Sequence, residues 1–146
     1  MQDTLKICKT RKVKTPSRAH QFDAGIDFYV PEDIDMETMA EKCKVTGCQP
    51  KMVWEDDKLA RITVAPGESV LIPCGIKMKV PEGYMLQFTN KSGIAAKRHL
   101  LVGSAVVDSG YMGECNINLH NVGNSEQVIE AGDKIVQGIL IPVKLD

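Results

Sequence analysis

The sequence lacks an excess of charge of either sign, any long apolar run and any ordered cysteine pattern, and each lack removes a class of function. Eighteen Lys and Arg against nineteen Asp and Glu leave a formal charge of -1, without the basic field that holds a nucleic-acid backbone, so no nucleic-acid partner is expected. No stretch reaches the roughly 20 apolar residues that span a bilayer, and Met1 to Thr15 interleaves Lys and Arg with single apolar residues instead of building a signal-peptide core. A soluble protein with no membrane partner follows as the expectation, cytoplasmic in its cell, or in the host cytoplasm for a viral source. Cys8, Cys43, Cys48, Cys74 and Cys115 form an odd set with no C-x-x-C pair, which fits neither a disulfide framework nor a zinc ribbon and reads as reduced thiols.

What is present reads as β structure. At 146 residues and 43% hydrophobic content the chain suits one core, so a single domain over 1–146 is expected. Arg61 to Val64, Ser69 to Ile72, Gly75 to Val80, Tyr84 to Phe88 and Cys115 to His120 are short apolar or alternating runs. In the third, Ile76, Met78 and Val80 fall on one face and Lys77 and Lys79 on the other, the period of a half-buried strand. Pro66-Gly67, Pro81-Glu82-Gly83, Gly123-Asn124 and Gly132-Asp133 punctuate these runs as turns. The pattern predicts an all-β sandwich, barrel or jelly roll. Ser92 is the expected N-cap of one short helix running towards His99, and a second helical stretch is expected from Met36 to Lys44. The latter opens a polar segment, about 36–58, that reads as an insertion hung on the sheet.

Four clusters gather small residues, carboxylates and hydrogen-bonding side chains. Asp23-Ala24-Gly25-Ile26-Asp27 leads into a strand and offers carboxylates to a hard cation, or is an acidic turn. Asn90-Lys91-Ser92-Gly93 places a cation, a hydroxyl and a glycine at a helix start, a phosphate cradle or a simple cap. Val106-Val107-Asp108-Ser109-Gly110-Tyr111 is a hairpin-like reversal in which Asp108, following a buried run, would be partly desolvated and poised as a base, while Tyr111 offers a flat face to a sugar or base; the plain alternative is a β-turn. Gly132-Asp133-Lys134-Ile135-Val136-Gln137 turns into the last strand, and Gln137 is able to donate to an anion.

In this order and at these spacings the four clusters resemble the first four motifs of the dUTP diphosphatase (dUTPase) family, trimeric type. The likeness begins at Ala24-Gly25-Ile26-Asp27-Phe28, lapses through the insertion and resumes from about Ile62 to Val143. It implies a jelly-roll-like fold of the β-clip type with one short helix and an inserted helix and hairpin segment, assembled as a homotrimer with active sites between subunits. It further implies Mg²⁺-assisted hydrolysis of dUTP to dUMP and pyrophosphate by attack of water on the α-phosphate, which lowers dUTP and supplies dUMP for thymidylate synthesis. By the same likeness Asp27 would orient a water on the Mg²⁺, and Lys91, Ser92, Gly93 and Gln137 would hold the phosphates. Asp108 would hold and deprotonate the attacking water. Tyr111 would pack under the deoxyribose, and backbone groups from Gly103 to Val107 would pair with the uracil edge.

The match has departures. Lys91 stands where many members carry Arg, replacing a planar fork by a point charge. Gly110 and Met112 replace an acidic residue and an Arg or Gln common in the third motif. The sequence ends at Lys144-Leu145-Asp146 without the Gly-rich fifth motif, so closure over the nucleotide would come from elsewhere, with the insertion residues Lys51, Trp54 and Lys58 as one source. Two rival readings follow: a nucleotide-binding regulatory protein on the same scaffold with weak hydrolysis, and a sister activity, either dCTP deaminase or a diphosphatase for a modified dUTP.

Overall fold

The computed structural model describes residues 4–146. Its elements are β1 (Lys6–Lys9), β2 (Ile26–Tyr29), α1 (Met36–Thr46), β3 (Lys51–Glu55), β4 (Lys58–Val64), β5 (Ser69–Lys79), β6 (Tyr84–Thr89), α2 (Ser92–Arg98), β7 (Leu100–Val102), β8 (Val106–Asp108), β9 (Glu114–Asn121), β10 (Gln127–Glu130) and β11 (Lys134–Pro142). They form three antiparallel sheets with strand orders β1-β5-β9-β7, β10-β4-β3 and β2-β11-β6-β8. This is the all-β, jelly-roll-like architecture expected from the sequence.

Alternation places the core. On β5, Ile72, Cys74, Ile76 and Met78 are buried while Lys77 and Lys79 are exposed, as the period-two pattern predicts. The two runs read separately in the sequence form one strand, interrupted by a register shift between Pro73 and Lys77. Gly75 lies at that irregularity with φ of 73°, and its N–H donates to the Glu114 carboxylate at 3.0 Å. The same carboxylate accepts from Thr10 Oγ1 at 2.7 Å and Arg11 Nε at 2.9 Å, which fastens the N-terminal segment across β5 and β9.

The 36–58 insertion enters the core more deeply than a segment merely hung on the sheet. Helix α1, capped by Asp35 at its start and by Gly47 in the left-handed region at its end, packs on β5 and buries Met39 and Cys43. The following hairpin turns through Asp56 and Asp57, both at positive φ, and gives the sheet its edge strand β3. All five cysteines are unpaired, in keeping with reduced thiols. Among the described residues no helix is long and apolar enough to cross a membrane.

One core contact sets up the functional row. Phe28 on β2 and Phe88 on β6 meet edge to face at 5.1 Å, passing over Gly138 of the intervening β11. A Cβ at Gly138 would fall 2.8 Å from the Phe28 ring and 2.9 Å from Leu86, so only glycine lets the two rings close over the central strand.

Candidate active site

Three of the four sequence clusters converge within the chain. Register across β2, β11 and β6 sets Asp27 beside Gln137 and Gln137 beside Thr89, immediately before the Asn90-Lys91-Ser92 segment. Asp27 is 3% exposed. Its Oδ1 accepts from Lys91 Nζ at 2.5 Å, and Lys134 Nζ lies 3.6 Å from Oδ2. A buried carboxylate needs such partners, and two lysines around one aspartate leave the cluster with surplus positive charge, suited to an anion. Gln137 donates from Nε2 to the Asn90 carbonyl at 2.9 Å, and Asn90 Oδ1 accepts from the Val102 N–H at 2.8 Å. Gly25 clears the space that the Gln137 carboxamide fills.

Two expectations need correction here. Ser92 is not the N-cap: Lys91 takes that place in extended conformation without a side-chain cap bond, and Ser92 is the first helical residue, exposed with Gly93. Lys91 is drawn to the buried Asp27, and the helix starts one position earlier than the capping rule predicts. Asp108 is exposed, not partly desolvated. Alternation explains this: Val107 turns inward, so its neighbours Val106 and Asp108 turn outward.

The third cluster stands apart from the other three. Asp108 pairs with Met85, four residues along β6 from Thr89, and β8 lies three strands from β2. At about 4.8 Å per strand and about 3.3 Å per residue, Asp108 and Asp27 of one chain are on the order of 20 Å apart. A cleft of about 280 Å³ opens next to this hairpin, lined by Leu71, Phe88, Ala105, Val107, Tyr111 and Asn116 among others. The Tyr111 hydroxyl donates to the Glu114 carbonyl at 2.9 Å, holding the ring against Gly113.

The backbone of 103–107 is partly committed. The Gly103 N–H donates to the Asn118 carbonyl, the Ser104 N–H to Asn118 Oδ1, and the Ala105 carbonyl accepts from the Phe88 N–H. Continuing that ladder pairs Val107 with Leu86, which directs the backbone groups of Val106 and Asp108 to the open edge of the sheet. Val107 therefore contributes a wall to the cleft, and the edge groups beside it are the ones left to recognise a ligand. A larger cavity, about 380 Å³, opens between β1 and β2 beside Ser17 and Arg18 and holds none of the candidate residues.

Comparison with known proteins decides the family. The dUTPase sequence profile matches residues 58–145. A deoxyuridine 5'-triphosphate nucleotidohydrolase of Mycolicibacterium vanbaalenii is 30% identical over 99% of this chain and 79% of its own. The chain belongs to the dUTPase family. Nucleotidohydrolases of the same name from Chlamydia caviae and Aquifex aeolicus are 43% and 42% identical over 56% and 57% of this chain. The match spans 57% of the length of each of those two relatives. Among solved structures, the dUTPase of Staphylococcus bacteriophage 80alpha with dUpNHpp superposes with a TM-score of 0.75 at 21% identity, covering 99% of this chain and 94% of that one. The EIAV dUTPase gives 0.70 at 23% identity, covering 98% and 92%. A phage phi11 dUTPase of S. aureus, whose structure concerns coordination of a structural Mg(II) ion, gives 0.74 at 21% identity, covering 98% and 93%.

Lys134 and Asn90 lie within the sequence motifs without a role assigned from sequence, and Asn118 lies outside them. Lys134 was findable as the second cation in a motif already chosen; Asn118 was not, because its role depends on β9 lying beside the 103–107 segment. The insertion residues Lys51, Trp54 and Lys58 share no hydrogen bond or ion pair with the site: Lys51 pairs with Glu126, and Trp54 and Lys58 belong to the β3–β4 hairpin.

Proposed function

We propose that this chain is a dUTP diphosphatase that cleaves dUTP to dUMP and pyrophosphate, acting as a homotrimer in which one subunit's Asp108 faces another subunit's phosphate-holding cluster. The observation that carries the reading is the division of the site. Asp27, Lys91, Lys134 and Gln137 gather at one place, Asp108 and Tyr111 stand beside a nucleoside-sized cleft at another, and a dUTPase needs both together.

Among the described residues no group of three His, Cys, Asp or Glu side chains gathers to cage a metal. Both Asp27 oxygens face lysines, so Asp27 would hold Mg²⁺ through water rather than as a direct ligand. When bound, Mg²⁺ supplies charge neutralisation across the phosphate oxygens.

The chain's own residues account for the rest of the reaction. Lys91 and Lys134 exchange the Asp27 carboxylate for phosphate oxygens and offset the charge that repels a nucleophile. Gln137 and Ser92 donate to the same oxygens, and Gly93 gives them room. Asp108 accepts a proton from water as that water's oxygen bonds to the α-phosphorus; the bond to the bridging oxygen breaks and pyrophosphate leaves. Tyr111 packs under the deoxyribose and excludes a 2′-hydroxyl, while the hairpin edge selects the base.

The test is a panel of deoxynucleoside triphosphates with Mg²⁺, scored for monophosphate, pyrophosphate and ammonia together. The proposal expects pyrophosphate and dUMP from dUTP in clear preference to the others. Ammonia from dCTP would replace it with a deaminase, and binding without turnover would replace it with a regulatory protein.

A further inference from the structure

We infer that Cys74 and Cys115 form a redox-active dithiol, oxidised to a disulfide by a hydroperoxide that enters through the cleft beside the β8 hairpin and is shut out when nucleotide fills it. Only this last protection rests on the dUTP reading above; the disulfide chemistry is independent of it.

Strands β5 and β9 bring the two thiols together. Their register pairs Val70 with Leu119, Ile72 with Ile117 and Pro73 with Asn116, so the next pair along it is Cys74 with Cys115. The Val70–Leu119 and Ile72–Ile117 pairs bury aliphatic side chains in the core, and at the third inward step two small thiols stand in their place, both buried. The register shifts immediately afterwards, between Pro73 and Lys77. Residues directly opposite on antiparallel strands have Cβ atoms about 4.5–5.5 Å apart, and a disulfide needs about 3.5–4.5 Å, so a small closure of the strands at this irregular step completes the bond. The two side chains already hydrogen-bond to one another.

The pair is asymmetric. Cys115 lines the cleft of about 280 Å³ together with Ala105, Val107 and Tyr111, whereas Cys74 is fully buried and does not reach it. Buried cysteines are ordinarily inert, because the thiolate is disfavoured and reagents are kept out. Here the hydrogen bond with Cys74 lowers the pKa of Cys115, and the cleft supplies the approach. The same bond, with burial, raises the pKa of Cys74, which makes it the resolving thiol. With hydrogen peroxide, the Cys115 thiolate attacks one oxygen, the O–O bond breaks and hydroxide leaves, giving a sulfenic acid. The Cys74 sulfur then bonds to the Cys115 sulfur as the S–O bond breaks, and the oxygen departs as water with the Cys74 proton. Two thiols and one peroxide thus become one disulfide and two waters, and a dithiol reductant reverses the change.

The test adds hydrogen peroxide to reduced Cys8→Ser protein, which lacks the exposed thiol, then blocks free thiols in denaturant and maps the peptides by mass. The expected product is a Cys74–Cys115 bridge, lighter by two hydrogen atoms and reopened by dithiothreitol, with Cys43 and Cys48 still reduced. Adding Cys74→Ser should stop the reaction at a Cys115 sulfenic acid that dimedone captures; adding Cys115→Ser instead should leave Cys74 reduced. α,β-Imido-dUTP at roughly ten times its Kd should slow bridge formation about tenfold. Survival of all the remaining thiols, a bridge at Cys43–Cys48 alone, or oxidation of Cys74 in the Cys115→Ser protein overturns the inference. Should either added serine prevent folding, the map of the protein that keeps both thiols still decides. Unslowed oxidation in protein that equilibrium binding shows to be loaded with imido-dUTP also overturns it. Imido-dUTP that does not bind at all would sink the dUTP reading and leave the dithiol to the peptide map.

Discussion

Gly25 lies so close to the Gln137 carboxamide that a Cβ at position 25 would stand 1.9 Å from Oε1 and 2.7 Å from Cδ. Gly25→Ala must therefore push Gln137 off the Asn90 carbonyl. The expected result is a KM for dUTP raised about tenfold, with a stability loss of about 1–3 kcal/mol from the crowding. Steady-state kinetics and thermal melting together check it, and an unchanged KM would remove Gln137 from the phosphate site.

Asp108→Asn separates chemistry from binding. A general base contributes on the order of 10²–10⁴ in rate, so kcat should fall by that factor, about 3–5 kcal/mol of barrier, while nucleotide affinity holds. Because Asp108 is exposed, the melting temperature should not move. Near-normal turnover would take Asp108 out of the reaction.

The Lys91–Asp27 pair predicts an asymmetry in stability. Lys91→Ala strands a carboxylate that is 5% exposed beside Lys134 alone, at 3.6 Å, and should cost up to about 3–5 kcal/mol in chemical denaturation. The double variant Lys91→Met with Asp27→Leu should recover most of that loss while abolishing activity. Additive losses would show that the pair is not coupled.

Helix α1 carries a pH signature. The hydrogen bond from the Thr38 hydroxyl, 2.5 Å from Oδ1, leads the causes that hold the Asp35 carboxyl below its ordinary value. A value lower in the folded state than in the unfolded one means the cap's contribution is complete above the unfolded value, near 4, and is lost as pH falls through the folded value. Asp35→Ala should therefore cost about 1 kcal/mol at neutral pH, and the gap to the unsubstituted protein should close as the pH drops below about 4. A gap constant down to strongly acidic pH would contradict the cap.

Much of this was legible in the residues. Strand alternation placed Ile76, Met78, Ile117 and Leu119 in the core because burial on one face of a sheet obeys a period of two, whatever the tertiary partners. Site residues were legible as types and spacings, but not their partners. Sequence order does not reveal that Lys91, at the start of α2, and Lys134, on β11, close around Asp27. The exposure of Asp108 was misread for a related reason: a run of apolar residues suggests burial, yet on an edge strand the pleat turns every second residue outward. Strand β1 escaped notice because all four of its residues are exposed, leaving no alternation to detect.

The central claim is that the two halves of the site meet across a subunit boundary, and subunit mixing tests it most directly. Asp108→Asn and Gln137→Ala are prepared separately, then unfolded and refolded together in equal amounts and assayed at dUTP well below KM, where both substitutions depress the rate. If Asp108 of one chain works with Gln137 of another, about one quarter of the sites in randomly mixed trimers regain both residues, and dUTP hydrolysis should return to about that fraction of the unsubstituted rate. A mixture no more active than its separate components would place both halves in one chain and contradict the account.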